Sequence, residues 1–121
     1  MARSVLLQLV RDSIEEVFHA KITIDNASLL QEHPLLNEKI PTTVNIFINR
    51  ELQGTYTSKD KDSSLLSNII LSAKKAAFED KSSSVLTTSE YLHCELELRL
   101  QTPDGEISEI DSPIIKATPS P

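Results

Sequence analysis

The chain has 121 residues, 39% of them hydrophobic and 25% charged, which fits one folded domain and excludes a disordered chain. Its net charge of −6 argues against nucleic acid or an anionic membrane surface as a partner, since both demand a positive field. With only two glycines, Gly54 and Gly105, and a single cysteine, Cys94, it can form neither a glycine-rich phosphate loop, an internal disulfide nor a cysteine-built zinc site.

From the N-terminus, Leu6, Leu9, Val10, Ile14, Val17 and Phe18 recur at helical spacing, with Gln8, Arg11, Asp12, Glu15, Glu16 and His19 between them. This predicts an amphipathic helix over 4–20 with the first set packed and the second solvated. The apolar stretch before Arg11-Asp12 is too short for a signal peptide, and no run approaches the ~20 residues of a membrane span. Cytoplasmic is therefore the expected location.

Lys21–Ile24 reads as a short strand or an extended link. Asp25 or Asn26 can cap a brief helix through Glu32, and Pro34 and Pro41 interrupt the stretch beyond it. Thr43–Asn49 alternates as a strand, a turn is expected at Arg50-Glu51, and Leu52–Ser58 returns as the second strand of a hairpin. A polar loop over 58–64 leads to a helix over 64–80, whose stripe is Leu66, Ile69, Ile70, Ala73, Ala76 and Ala77.

After a Ser/Lys link over 81–87 comes a helical turn, Thr88–Leu92. His93–Gln101 then alternates strictly, with Cys94, Leu96, Leu98 and Leu100 inward. Pro103-Asp104-Gly105-Glu106 is a turn and Ile107–Ile110 the returning strand. The expected fold is α+β: two layers, a mostly antiparallel sheet of about four strands, and two main helices on one face. The expected organisation is a single domain over 1–112, with an extended or disordered tail over 113–121.

Few residues carry chemistry. His19, His33 and His93 fall in three different elements, so no metal site is expected. Cys94 on the leucine face of its strand reads as a small buried hydrophobe. The carboxylates occupy solvated faces. Gly54 stands out, because glycine inside a strand marks either a bulge packed on the alanine-rich helix or the close approach of a ligand. Thr55, Tyr56, Thr57 and Ser58 come directly after it, a row of hydroxyls running toward a helix N-terminus.

Glu51-Leu52-Gln53-Gly54-Thr55-Tyr56-Thr57-Ser58, a helix ending Ala73-Lys74-Lys75-Ala76-Ala77-Phe78-Glu79-Asp80, and the link Leu86-Thr87-Thr88-Ser89-Glu90 together resemble the AMMECR-type domain family. That family carries an L-R-G-C-I-G-like signature, a helix ending in A-x-x-A-A-F-x-D and an L-T-x-x-E-like link. The resemblance covers about residues 4–110. Gln53, Thr55 and Thr57 depart from the signature's arginine, cysteine and second glycine, so chemistry that needs those groups does not transfer. The family's R-F-P-P-like segment is replaced by Lys81-Ser82-Ser83-Ser84-Val85, and its later G-K-H-G-like motif and tryptophans have no counterpart. The expectation is therefore a shortened, divergent relative.

The resemblance implies a small intracellular α+β protein of unsettled activity, associated in genomes with MEMO-like and radical-SAM proteins, and hence a protein partner. The leading expectation is a non-enzymatic binding or accessory module using Gln53, Gly54, Thr55, Tyr56, Thr57 and Ser58. No catalytic residue, metal or cofactor is assigned. One alternative is a small enzyme at the same surface, with Thr55, Tyr56 or Ser58 reactive and His33 or His93 brought beside them as base. Another is an interaction protein that forms a homodimer through an uncovered sheet edge or helix face.

Overall fold

Ser4 holds an extended backbone and its hydroxyl accepts the Leu7 amide at 3.1 Å, which starts α1 at Val5–His19. The computed structural model describes residues 4–58, 62–79 and 86–113. Ala20 closes α1 in the left-handed region (φ 50°), and the amides of Ala20 and Lys21 return to the carbonyls of Val17 and Glu16. Beyond it the Glu16 carboxylate takes the amides of Thr23 and Ile24, each at 2.8 Å. That decides between strand and link. Two donors a sheet ladder would need are already used, so Lys21–Ile24 is a tethered link.

Asp25 caps α2 (Asn26–Glu32), and a 3-10 turn at Pro34–Asn37 drops Leu36 into the core. The hairpin is made of β1 (Thr42–Ile48) and β2 (Glu51–Ser58), turning at Asn49-Arg50 and so one residue earlier than expected. Both turn residues have positive φ, 53° and 69°, as a two-residue hairpin loop of the primed type requires.

Ser64 caps α3 (Leu65–Phe78) by accepting the Ser67 amide. Thr87 and Glu90 form a reciprocal capping box on α4 (Thr88–His93). The chain then runs through β3 (Glu95–Thr102), a turn at Pro103-Asp104 and β4 (Gly105–Asp111), which Gly105 opens at φ 127°. The sheet order is β2-β1-β3-β4 and every pairing is antiparallel, leaving β2 and β4 as edges.

The expected α+β architecture is therefore present. α3 lies across β1 and β2, while α1 packs on α3 and reaches β3 and β4. Val44, Ile46, Leu96, Leu98 and Leu100 of the sheet meet Leu9, Val10 and Ile14 of α1 and Leu66, Ile69, Ala73 and Ala76 of α3. Alternation puts Thr43, Asn45, Glu97 and Arg99 on the opposite, helix-free face. Of the expected tail only Pro113 is described, and it is half-buried; residues 114–121 lie outside the described residues, as do 59–61 and 80–85.

The α1 polar stripe departs from expectation. Arg11 is 0% exposed and Glu16 7%, whereas Val17, expected in the core, is 44% exposed. Burial of the two charges is possible because each is fully partnered. The Arg11 guanidinium donates to Asp111 Oδ2 (2.6 Å), the Cys94 carbonyl (3.2 Å) and the Ser112 carbonyl (3.0 Å), clamping α1 to the start of β3 and the end of β4. Glu16 receives Lys74 Nζ of α3 at 2.8 Å besides its two amides.

Burial by itself would raise the Glu16 carboxyl, but Lys74 and the two amides outweigh it and hold the group below its ordinary value. A depressed carboxylate stabilises the fold fully above its unfolded value, near 4.5, and that contribution is lost as pH falls through the lower folded value. The wild type is therefore expected to outlast Glu16→Gln in urea at neutral pH, with the difference shrinking between about pH 5 and pH 3. Urea melts of both chains across that range check it; a constant difference would contradict the assignment.

Candidate ligand-binding cleft

The six residues singled out on β2 do not share one surface. β2 pairs with β1 so that Ile46 faces Gly54 and Phe47 faces Leu52, which leaves Gln53 as the extra residue of a bulge. Gly54 turns toward α3, where a Cβ would sit 2.1 Å from the Ala76 carbonyl oxygen. The glycine is thus required by the helix backbone itself.

Thr55 and Thr57 project to the opposite face, where Thr55 Oγ1 donates to Asn45 Oδ1 (2.5 Å) and Thr57 pairs with Thr43 (2.8 Å). Tyr56 returns to the helix side beneath Lys75, whose ammonium lies 5.5 Å from the ring centroid. Ser58 is buried and donates to Asn68 Oδ1 at 2.7 Å, and Asn68 in turn donates to the Ile40 carbonyl. The hydroxyl row is therefore divided between a sheet face and a buried bonding network by the period-two alternation of the strand.

Gln53 and Gly54 do line a crevice, with Ala76, Ala77, Leu86 and Glu90. At about 10 Å³ it has room for no more than a water. It shares Ile48 and Glu90 with a much larger cleft of about 430 Å³ between the β1–β2 turn and α4. That volume lies in the range of small-molecule sites. Its polar lining is Asn49, Arg50, Ser89, Glu90, His93 and Glu95, with Phe47, Ile48 and Pro113 as the apolar part. Thr55, Tyr56, Thr57 and Ser58 line neither space.

The cleft residues come from three local causes. The turn places Asn49 and Arg50 at its rim. The Thr87–Glu90 capping box fixes α4, so Ser89 and His93 face the cleft one turn apart, and Glu90 Oε1 is held by the Thr87 amide at 3.0 Å. Glu95 opens β3, half-buried. Sequence reading did not single out Arg50, Ser89, Glu90 and Glu95 as site residues, and considered His93 only as a base for the hydroxyls. One signal was available: Asn49-Arg50 stands where a two-residue hairpin favours Asn-Gly.

Beside the cleft, Cys94 is buried on the core side as expected, and burial pushes its thiol up despite Arg11 nearby. Tyr91 is buried too; its hydroxyl donates to Glu15 Oε2 at 2.5 Å, and burial followed by that carboxylate drives its pKa upward. Neither group is poised as a nucleophile. Among the described residues no group of three or more His, Cys, Asp or Glu side chains is placed to hold a metal, and no helix is long and apolar enough to cross a membrane.

The family model described as AMMECR1 matches residues 7–117. No curated protein matches the sequence. Among solved structures the chain is similar to an uncharacterised protein from Pyrococcus horikoshii, with a TM-score of 0.69 and 22% identity over 81% of this chain and 50% of that one. At that identity the likeness shows the fold, and this chain spans half the length of that protein. Several positions shared with the family pattern meet at the crevice: Gly54, Ala76, Ala77, Leu86 and Glu90.

Proposed function

The chain belongs to the AMMECR1 family, and from that premise we propose a non-enzymatic binding or accessory module whose ligand enters the cleft between the β1–β2 turn and α4. One observation carries the reading. The cleft gathers both signs of charge on elements fixed by a hairpin turn and a capping box, and it shares Ile48 and Glu90 with the crevice at Gln53-Gly54. Such convergence of a few polar groups on a partly apolar wall is what small-molecule recognition uses. The proposed binding surface moves accordingly, from Gln53-Gly54 and the hydroxyls of 55–58 to Arg50, Glu90, His93 and Glu95.

A thermal-shift panel of small polar metabolites on wild type, Arg50→Ala and Glu95→Gln tests it. A ligand at about 100 times its Kd stabilises by about 2.7 kcal/mol, well within detection. Stabilisation of the wild type that vanishes in either variant supports the reading. Ligands that stabilise all three chains equally act elsewhere and contradict it.

A second reading, a small enzyme, is favoured by Ser89 and His93 lining the same cleft one helical turn apart. Against it, His93 Nδ1 pairs with the Ser89 main-chain carbonyl at 2.9 Å, where a triad would have a carboxylate orienting the ring. Hydrolysis of p-nitrophenyl acetate by wild type and not by Ser89→Ala would favour the enzyme.

A further inference from the structure

The ligand class can be argued from which cleft groups already have partners, and this inference rests on the binding function proposed for the cleft. Glu90 is partly spoken for through Thr87. Arg50 and Glu95 are different: among the described residues neither side chain makes a hydrogen bond or ion pair, although both line the cleft. Arg50 is exposed at the rim and Glu95 is half-buried, so each keeps its hydrogen-bonding capacity available to a ligand in the cleft.

Arg50 also sits where stability would not place it. Its φ of 69° is in the left-handed region, at the turn position where glycine is preferred, and a side chain there is strained. The residue therefore gives up stability to present a guanidinium at the cleft rim. His93 adds a directed group. A carbonyl can only accept, so the 2.9 Å contact with Ser89 puts the proton on Nδ1 and leaves Nε2 as the second hydrogen-bonding atom of the ring. Phe47, Ile48 and Pro113 supply an apolar wall in the same space.

We propose that the cleft binds a small zwitterion with an apolar body, of the α-amino-acid type. The ligand carboxylate pairs with Arg50, the ammonium with Glu95, and the side chain lies against Phe47, Ile48 and Pro113. A guanidinium matches a carboxylate in two parallel hydrogen bonds, whereas Glu95 accepts from an ammonium. A single-charge ligand would leave one of the two unpaired and desolvated beneath it, which is the basis of discrimination.

Calorimetric titration of the full chain with four probes tests this: L-leucine, 4-methylpentanoate (carboxylate only), 3-methylbutylamine (ammonium only) and N-acetyl-leucinamide (neither charge). L-leucine is expected to bind at least about tenfold more tightly than each of the others, the loss expected for one charge-assisted contact. Arg50→Gly is the informative variant because it removes the cation while relieving the backbone. It is expected to raise the melting temperature by about 3 °C and to weaken L-leucine binding at least about tenfold, so lost binding cannot be ascribed to misfolding. Glu95→Gln is expected to weaken L-leucine binding and to tighten 4-methylpentanoate binding, because the unpaired carboxylate that penalises it is gone. Equal affinity for L-leucine and 4-methylpentanoate would overturn the zwitterion while leaving a binding cleft in place. No binding of any probe would also overturn it, and the metabolite panel then decides separately whether the cleft binds another class.

Discussion

Gly54→Ala is expected to destabilise the domain by about 3 kcal/mol or more, the upper end for an overpacked interior. The new Cβ would sit 2.1 Å from the Ala76 carbonyl oxygen and 3.1 Å from its carbon. These are backbone atoms of a helix that is itself packed on two strands, so no side chain can swing aside. α3 must lift from β2 or the bulge must unwind. Because α3 also carries Ile69, Ala73 and Ala77 into the core, lifting it strips contacts well beyond Gly54. A loss of this size corresponds to about 10 °C in melting temperature for a domain of this length. Thr55→Ala, one residue on but on the helix-free face, is expected to cost under about 1 kcal/mol. Urea melts of both variants check the contrast. A Gly54→Ala chain within about 0.5 kcal/mol of wild type would mean that α3 does not approach β2 as described. The same clash makes substitution at Gly54 a poor probe of ligand binding, since folding and binding would fail together.

The second large effect is expected at Arg11. Arg11→Met keeps the aliphatic volume but removes the guanidinium, and with it the 2.6 Å contact to Asp111 and one donor each to the carbonyls of Cys94 and Ser112. Removing one member of a buried pair costs about 3–5 kcal/mol, most of it the penalty for the group left behind. Asp111 is slightly exposed at 12%, which favours the lower end, about 3 kcal/mol. Arg11→Lys is expected to recover only part of this, because one ammonium cannot serve the carboxylate and two carbonyls in a fixed fork. Equilibrium unfolding of the two variants measures both. Equal stability of Arg11→Met and wild type would show that the clamp on β4 adds nothing.

Much of the fold was legible in the sequence because the local signals agree with one another. Strict alternation over Cys94–Leu100 yields a strand buried on one face, Pro103-Asp104-Gly105 yields its turn, and apolar spacing from Leu66 to Ala77 yields α3. What failed was the inference from residue polarity to exposure on α1. Arg11 and Glu16 fall on a polar stripe by period alone, and nothing local reveals that Asp111, a hundred residues away, and Lys74 of α3 complete them. Long-range pairing of a charge leaves no trace in the spacing around it.

The site was legible to a lesser degree. Gly54 was recognisable as special, and both candidate reasons were physical, but only the distance to Ala76 identifies the packing reason. The four hydroxyls after it looked like a cluster in one dimension, and alternation in the strand separates them. The cleft draws on the β1–β2 turn, α4 and the start of β3, three segments whose adjacency depends on the β2-β1-β3 strand order. Arg50 in a glycine's place was the one local mark of it.

The most direct test of the binding cleft is a pair of amide correlation spectra of the 15N-labelled chain, recorded without and with a mixture of amino acids, dicarboxylates and sugar phosphates. The cleft predicts shifts confined to Asn49, Arg50, Ser89, Glu90, His93, Glu95 and their neighbours. Shifts concentrated instead around Thr55 and Thr57 on the helix-free face, or around a separate groove that Leu35, Ile40, Leu100 and Ile107 line, would contradict it, as would spectra that do not change.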